Sequence, residues 1–275
     1  MISLKNKNAL IYGAGGSLGG AMAKAFAGAG AKVFVTGPNL STVQKIAEEI
    51  NHTGGFAEAA EVDALNDQAV NSHIDKIVKN EGTIDISFNA AWNGVVQGIP
   101  LTEISVKDFL APVQMALQSR FITAIAAIAA IKVMQKQKSG VILSLTATPG
   151  GIGYPNTGGF APTCAALESL SRNLAVEFGV YGIRSVNIRS SGSPDSRVFR
   201  DAIESQPEVM KAVISSMEND TMLKKMVPMD DITNAALFLV SDLAASITGV
   251  TVDVTSGTTQ GLNYRVGLPS FNEDN

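Results

Sequence analysis

Two stretches of the chain carry the residue types and spacings that chemistry needs. The first, "YGAGGSLGG", places Gly13, Gly16 and Gly19 at three-residue intervals between a β-branched run and a helical one. Glycines so spaced allow a tight turn, close approach of backbone N–H groups to a pyrophosphate, and close packing of helix on strand. Glycines serving only the turn would look the same, so the place of the loop at a strand-to-helix junction carries the reading. The second stretch, "VILSLTATPGGIGYPNTGGFAPTCAAL", holds the hydroxyls of Thr146, Thr148, Thr157 and Thr163, the phenol of Tyr154 and the thiol of Cys164. Tyr154 is the phenol available there to move a proton, and a Tyr packed at a cleft rim is the simpler reading of it. A thiol turns nucleophilic beside a base or cation. The two histidines, His52 and His73, lie far off in sequence, so Cys164 reads as a small buried hydrophobe.

The elements that must position these residues alternate. The strand-like runs "NALIYG", "AKVFVT", "GFAEAAEV" and "IDISFN" are separated by helical patterns over 18–29, 40–50 and 69–79. The pattern continues with a long helix over 106–136, the strand "GVILSL", a helix over 160–178, the strand "IRSVNI", further helices and a last strand "GVTVDV". Strict alternation predicts an α/β fold, a doubly wound parallel sheet of about seven strands covered on both faces, with its ligand crevice at the carboxyl ends of the strands. No linker or repeat interrupts it, so residues 1–275 read as a single domain.

Composition excludes other classes. With 21 basic and 25 acidic residues scattered along the chain and a net charge of −4, there is no basic stripe for nucleic acid or an anionic membrane. The most apolar run, "FITAIAAIAAI", lies between Arg120 and Lys132 and is shorter than the roughly 20 residues a membrane span needs. One cysteine and no Cys/His spacing of a metal site fit a reducing compartment, with the cytoplasm as the expected location, no metal and a small molecule as ligand.

The chain as a whole resembles the short-chain dehydrogenase/reductase family. The matching pieces, in family order, are Gly13-Ala14-Gly15-Gly16-Ser17-Leu18-Gly19, Val62-Asp63, "FNAA" ending in Asn89, Ala90 and Ala91, "LAVEF", "GIRSVNI", "FLVSDLAASITG" and "VTSG". The resemblance implies a Rossmann-type fold, an NAD or NADP cofactor and oxidoreductase activity. Gly13, Gly15, Gly16, Ser17, Leu18 and Gly19 would cradle the pyrophosphate, Val62 and Asp63 would meet the adenine, and Asn89, Ala90 and Ala91 would support the cofactor at the strand ends. The family pattern has Gly where Ser17 stands, and Gly16 precedes it by one place. After the second strand, Gly37 and Pro38 replace both the acidic residue used for NAD and the Arg used for NADP. Thr36 and Asn39 offer hydrogen bonds there and no carboxylate repels a phosphate, which favours NADP. A site that no longer binds cofactor is the alternative.

In the family a Tyr exchanges the substrate proton, a Lys four places on lowers its pKa and holds the nicotinamide ribose, a Ser orients the substrate oxygen, and an Asn completes the relay. Those positions align here with Phe160, Cys164, Ala147 and Ala116. The residues therefore predict an atypical reductase without a protein acid, with a non-redox ligand-binding protein or cyclase, or a catalytically silent subunit of a hetero-oligomer with an active relative, as alternatives. Trp92 stands where the family has Gly and would fill cofactor or substrate space, or simply pack. Residues 189–228 resemble the family's substrate loop, with Met210, Met217, Met222 and Met226, and Met229 just beyond, as its apolar lining; a tail follows from about 258 to 275. The helix with Ala124, Ala126, Ala127, Ala129 and Ala130 among Ile125, Ile128 and Ile131 reads as apolar all round, and Ala165, Leu167, Leu170 and Leu174 pose the same problem on the next long helix. Both need covering, and a homodimer or homotetramer is expected.

Overall fold

The computed structural model describes residues 2–92, 94–129 and 134–260. The sheet is built from β1 Asn8–Tyr12, β2 Lys32–Gly37, β3 Phe56–Glu61, β4 Ile86–Asn89, β5 Gly140–Ala147, β6 Ile183–Ser190 and β7 Thr251–Val254. Its central strands are short, apolar and buried on both faces, while the edge strands β3 and β7 are mostly half-buried. All are parallel, in the order β3-β2-β1-β4-β5-β6-β7. The direction of winding reverses between β1 and β4, and there the carboxyl ends splay into a crevice.

Alternation along the strands builds two cores. Ala9, Ile11, Val33, Val35, Ile86 and Phe88 point to one face, where α1 (Ser17–Gly28), α2 (Leu40–His52) and α9 (Met229–Val240) cover them through Met22, Phe26, Val43, Ile50 and Ile232. Leu10, Tyr12, Phe34 and Ile142 point to the other, against α3 (Asp67–Glu81), α4 (Val106–Ala129) and α6 (Phe160–Phe178) through Val70, Ile74, Ala124, Ala127 and Leu174. A four-residue helix, α5 (Met134–Gln137), precedes β5, while α7 (Arg197–Ser205) and α8 (Pro207–Asn219) form an outlying pair after β6. Among the described residues no helix is long and apolar enough to cross a membrane.

Two expectations from composition are corrected by packing. In α6, Leu167 and Leu174 point inward and are buried, Leu170 is half-buried, and Ser169, Arg172, Asn173 and Glu177 face outward. The helix is amphipathic, with Ala165 and Val176 among the few apolar side chains it exposes. In α4 the apolar stretch carries a buried polar seam of Ser119, Arg120 and Thr123. The expectations for Ala130 and Ile131 lie outside the described residues.

Candidate functional site

The glycine turn is built by close contacts that no side chain would permit. Gly13 has φ +73°, and a Cβ there would stand 2.7 Å from the Ala91 nitrogen. A Cβ on Gly19 would lie 2.4 Å from the Gly13 carbonyl oxygen, and one on Gly15 would lie 2.6 Å from Thr42 Oγ1. The turn is therefore pressed between the end of β4, α1 and α2. Gly16 caps α1 without any side-chain hydrogen bond, and the first turn holds no acidic residue. Its N–H groups and the positive end of the helix are what a pyrophosphate requires. The backbone N–H of Arg197, at the start of α7, donates to Ser17 Oγ at 2.9 Å, so the 189–228 region is latched onto the glycine turn.

The residues expected around an adenosine divide. Thr36 is fully buried and its hydroxyl donates to the Ile11 carbonyl at 3.2 Å. Asn39 is exposed and caps α2, its Oδ1 accepting from the Ser41 backbone at 3.0 Å and the Ser41 hydroxyl at 2.8 Å. Its amide NH2 is the donor that remains. Val62 is buried while Asp63 is exposed just after β3, its carboxylate accepting from the Leu65 N–H at 2.9 Å.

Asn89 works as a local brace. Its Nδ2 donates to Thr123 Oγ1 at 3.0 Å and its Oδ1 accepts from the Ala91 N–H at 2.8 Å, while the Ala90 N–H donates to the Tyr12 carbonyl at 2.9 Å. The Ala90-Ala91 backbone is thereby fixed against Gly13. Trp92 follows, and its ring meets Phe160 edge to face with centroids 4.9 Å apart. On the indole lies the guanidinium of Arg120, 4.9 Å from the ring centre, with Nη1 donating to the Ala91 carbonyl at 2.5 Å. Arg120 is 3% exposed, and its Nε and Nη2 have no partner among the described residues. Burial brings its pKa down to about 10, so it remains a cation at neutral pH.

Beyond Phe160 opens a cleft of roughly 710 Å³, lined by Ala147, Tyr154, Phe160, Phe199, Met217 and Met226 among others. This size and apolar character suit a small organic molecule. Of the five methionines expected to line it, Met217 and Met226 do; Met222 is 52% exposed. Tyr154 sits at the rim, 43% exposed. Ala116 and Cys164 are fully buried. Burial pushes the Cys164 thiol up to about 11, which leaves it protonated and unreactive.

An ion-pair network that the sequence reading missed joins α6, β6 and β7. Arg189, at the end of β6, grips Glu168 of α6 through Nε to Oε1 at 2.9 Å and Nη2 to Oε2 at 2.6 Å, and reaches Asp253 of β7 at 3.2 Å. Thr146 donates to Glu168 Oε1 at 3.0 Å, and Asn187 donates to Thr146 at 2.8 Å. These bonds hold Arg189 charged, chiefly through the Glu168 hydrogen bonds. Arg120 was read only as the edge of an apolar run. A charge flanked by apolar residues on a buried helix was the signal available for it. Among the described residues, no group of His, Cys, Asp and Glu is placed to hold a metal ion.

A family model described as enoyl-(acyl carrier protein) reductase matches residues 13–259. The 7alpha-hydroxysteroid dehydrogenase of Escherichia coli (strain K12) is 30% identical over 264 residues, covering 95% of this chain and 98% of that protein. Two solved structures share the fold. A gluconate 5-dehydrogenase from Burkholderia cenocepacia J2315 in complex with NADP and tartrate has a TM-score of 0.84 at 23% identity, over 95% of this chain and 98% of that one. An NAD+-bound xylitol dehydrogenase has a TM-score of 0.84 at 23% identity, over 92% of this chain and 99% of that one. The glycine turn beside β4, the seven parallel strands and the match from residue 13 to 259 agree, and the chain belongs to the short-chain dehydrogenase/reductase family.

Proposed function

We propose that the chain is an atypical NAD(P)-dependent oxidoreductase whose proton-relay positions have been emptied. One observation carries this reading: a glycine turn at the end of β1 leaves the start of α1 without a side-chain cap, and Ala147 and Phe160, which line the apolar cleft, have no proton to exchange. The residues present fit a dinucleotide, since the first turn of α1 has no side-chain cap and no acidic residue, which leaves its N–H groups to phosphates. When bound, the cofactor would supply hydride-transfer chemistry. The chain's own residues would bind and shield: the start of α1 takes the phosphates, Asn39 the adenosine ribose, and the cleft holds an apolar substrate and limits water.

A positioned general acid contributes roughly 10²–10⁴ in rate, and burial keeps the Cys164 proton from serving. Substrates that suit the site are therefore acceptors that need no protein acid, such as an activated enone, whose enolate takes its proton from water, or an iminium, which hydride converts to a neutral amine. The absence of a carboxylate at Gly37 and Pro38 favours NADP over NAD. The apolar cleft and the hydroxysteroid dehydrogenase relative support an apolar substrate. The competing reading, a non-redox ligand-binding protein, is favoured by the Trp92–Phe160 contact between the turn and the cleft. Titration with NADPH and NADH separates them: binding at micromolar concentration supports the reductase, and none at millimolar concentration removes it.

A two-fold homodimer or homotetramer also belongs to this proposal. Phe121 of α4 and Val176 of α6 are 54% and 83% exposed, which a partner copy would cover. Light scattering of the purified protein tests this, and a stable monomer at micromolar concentration would refute it.

A further inference from the structure

In a doubly wound sheet the two halves of a dinucleotide lie on either side of the point where the strand order reverses. Here that point is between β1 and β4, so the second half must cross the carboxyl end of β4. That end runs through Asn89, Ala90 and Ala91 to Trp92, which leaves the sheet beside Gly13. The indole is half-buried. It packs on Phe160, a wall of the cleft, from one side, and Arg120 packs on it from another.

Arg120 is buried and has no carboxylate partner among the described residues. Its charge is met by the indole face and by one carbonyl, that of Ala91, the residue immediately before Trp92. A desolvated guanidinium over an indole is the strong form of the cation–π contact. The same side chain thus holds the ring of Trp92 and the backbone from which it springs. The indole cannot turn away without leaving a buried cation with less to compensate it.

We propose that Trp92, clamped by Arg120 against Phe160, is a built-in occupant of the second half of the dinucleotide crevice. The resting protein takes the adenosine diphosphate half of a dinucleotide, and the reactive half enters only when the indole swings out. Trp92 and Arg120 then decide which ligands reach the cleft. This rests on the dinucleotide reading above, and the test separates the two.

The chain has a single tryptophan, so its fluorescence reports this ring alone. ADP-ribose and its 2′-phosphorylated form, and intact NADH and NADPH, are titrated by calorimetry into the wild type, Trp92→Gly and Arg120→Met, with fluorescence recorded on the two proteins that keep the indole. In the wild type, fragment and matching dinucleotide are expected to bind within about threefold of each other, a difference small on the scale of binding free energies. Trp92→Gly should tighten the dinucleotide roughly tenfold and leave the fragment unchanged, since the open state no longer has to be selected from a minor population. Arg120→Met should shift the emission to the red and tighten the dinucleotide by an intermediate factor. It carries the same comparison if Trp92→Gly fails to fold. A wild-type dinucleotide bound about tenfold tighter than its fragment, with unchanged emission, would overturn the proposal and leave the dinucleotide reading intact. Failure of every fragment to bind any of the proteins at millimolar concentration would overturn both.

Discussion

Arg189→Met is expected to be among the most destabilising single changes in the molecule. Arg189 and Glu168 are joined by two hydrogen bonds, at 2.9 and 2.6 Å, and their side chains are 13% and 6% exposed. Methionine would fill much of the space but leave the buried Glu168 carboxylate with the Thr146 hydroxyl as its remaining partner at 3.0 Å. Removing one member of a buried pair costs about 3–5 kcal/mol, because the other charge stays behind unpaired. For a domain of this size each kcal/mol moves Tm by roughly 2–4 °C, so a fall of about 6–20 °C is expected in a thermal scan, with a matching loss in urea unfolding. Glu168→Gln should cost less, since Arg189 keeps Asp253 at 3.2 Å. The double variant Glu168→Leu with Arg189→Met should recover much of the loss, as apolar replacements of buried pairs often do. A loss below about 1 kcal/mol for Arg189→Met would show that water reaches the carboxylate, and the pair would not act as a buried one.

Three further changes test other parts of the molecule. Gly13→Ala forces a Cβ into a φ of +73° and against the Ala91 nitrogen; a loss of at least about 1–3 kcal/mol is expected in urea unfolding, together with loss of nucleotide binding by calorimetry. His73 is 7% exposed with Nε2 unpartnered among the described residues, and burial lowers its pKa below 6.5. Its folded pKa lies below its unfolded one, so the stability it contributes is present above pH 6.5 and lost as pH falls through the folded value. Urea unfolding at a series of pH values should show that decline in the wild type and a flatter profile in His73→Phe. Rebuilding the relay by Ala116→Asn, Ala147→Ser, Phe160→Tyr and Cys164→Lys together should give measurable NADPH-dependent ketone reduction where each alone gives little. The gain should be larger with Arg120→Ala added, because the Cys164 site feels the Arg120 charge, which a lysine there would oppose. Equal activity with and without that change would refute the electrostatic argument.

What the sequence determined by itself is whatever depends on local periodicity and on backbone freedom. Alternating strands and helices specified the seven-stranded parallel sheet, because burial on both faces leaves continuous apolar runs such as "NALIY" and "KVFVT". The glycine turn was legible because close backbone approach at Gly13 and Gly19 excludes every other residue. The outward face of α6 was misjudged, since Ala, Leu and Glu in one helix do not say which side meets the sheet until the neighbours are in place. The bond from the Thr36 hydroxyl to the Ile11 carbonyl is a contact between adjacent strands, which local sequence does not show. Arg120 on Trp92, and Glu168 with Arg189 and Asp253, are meetings of side chains from different elements, and the charge of each is tolerated only through the others. Charge compensation in a low-dielectric interior is settled by distances across the fold, and tertiary structure alone decides those.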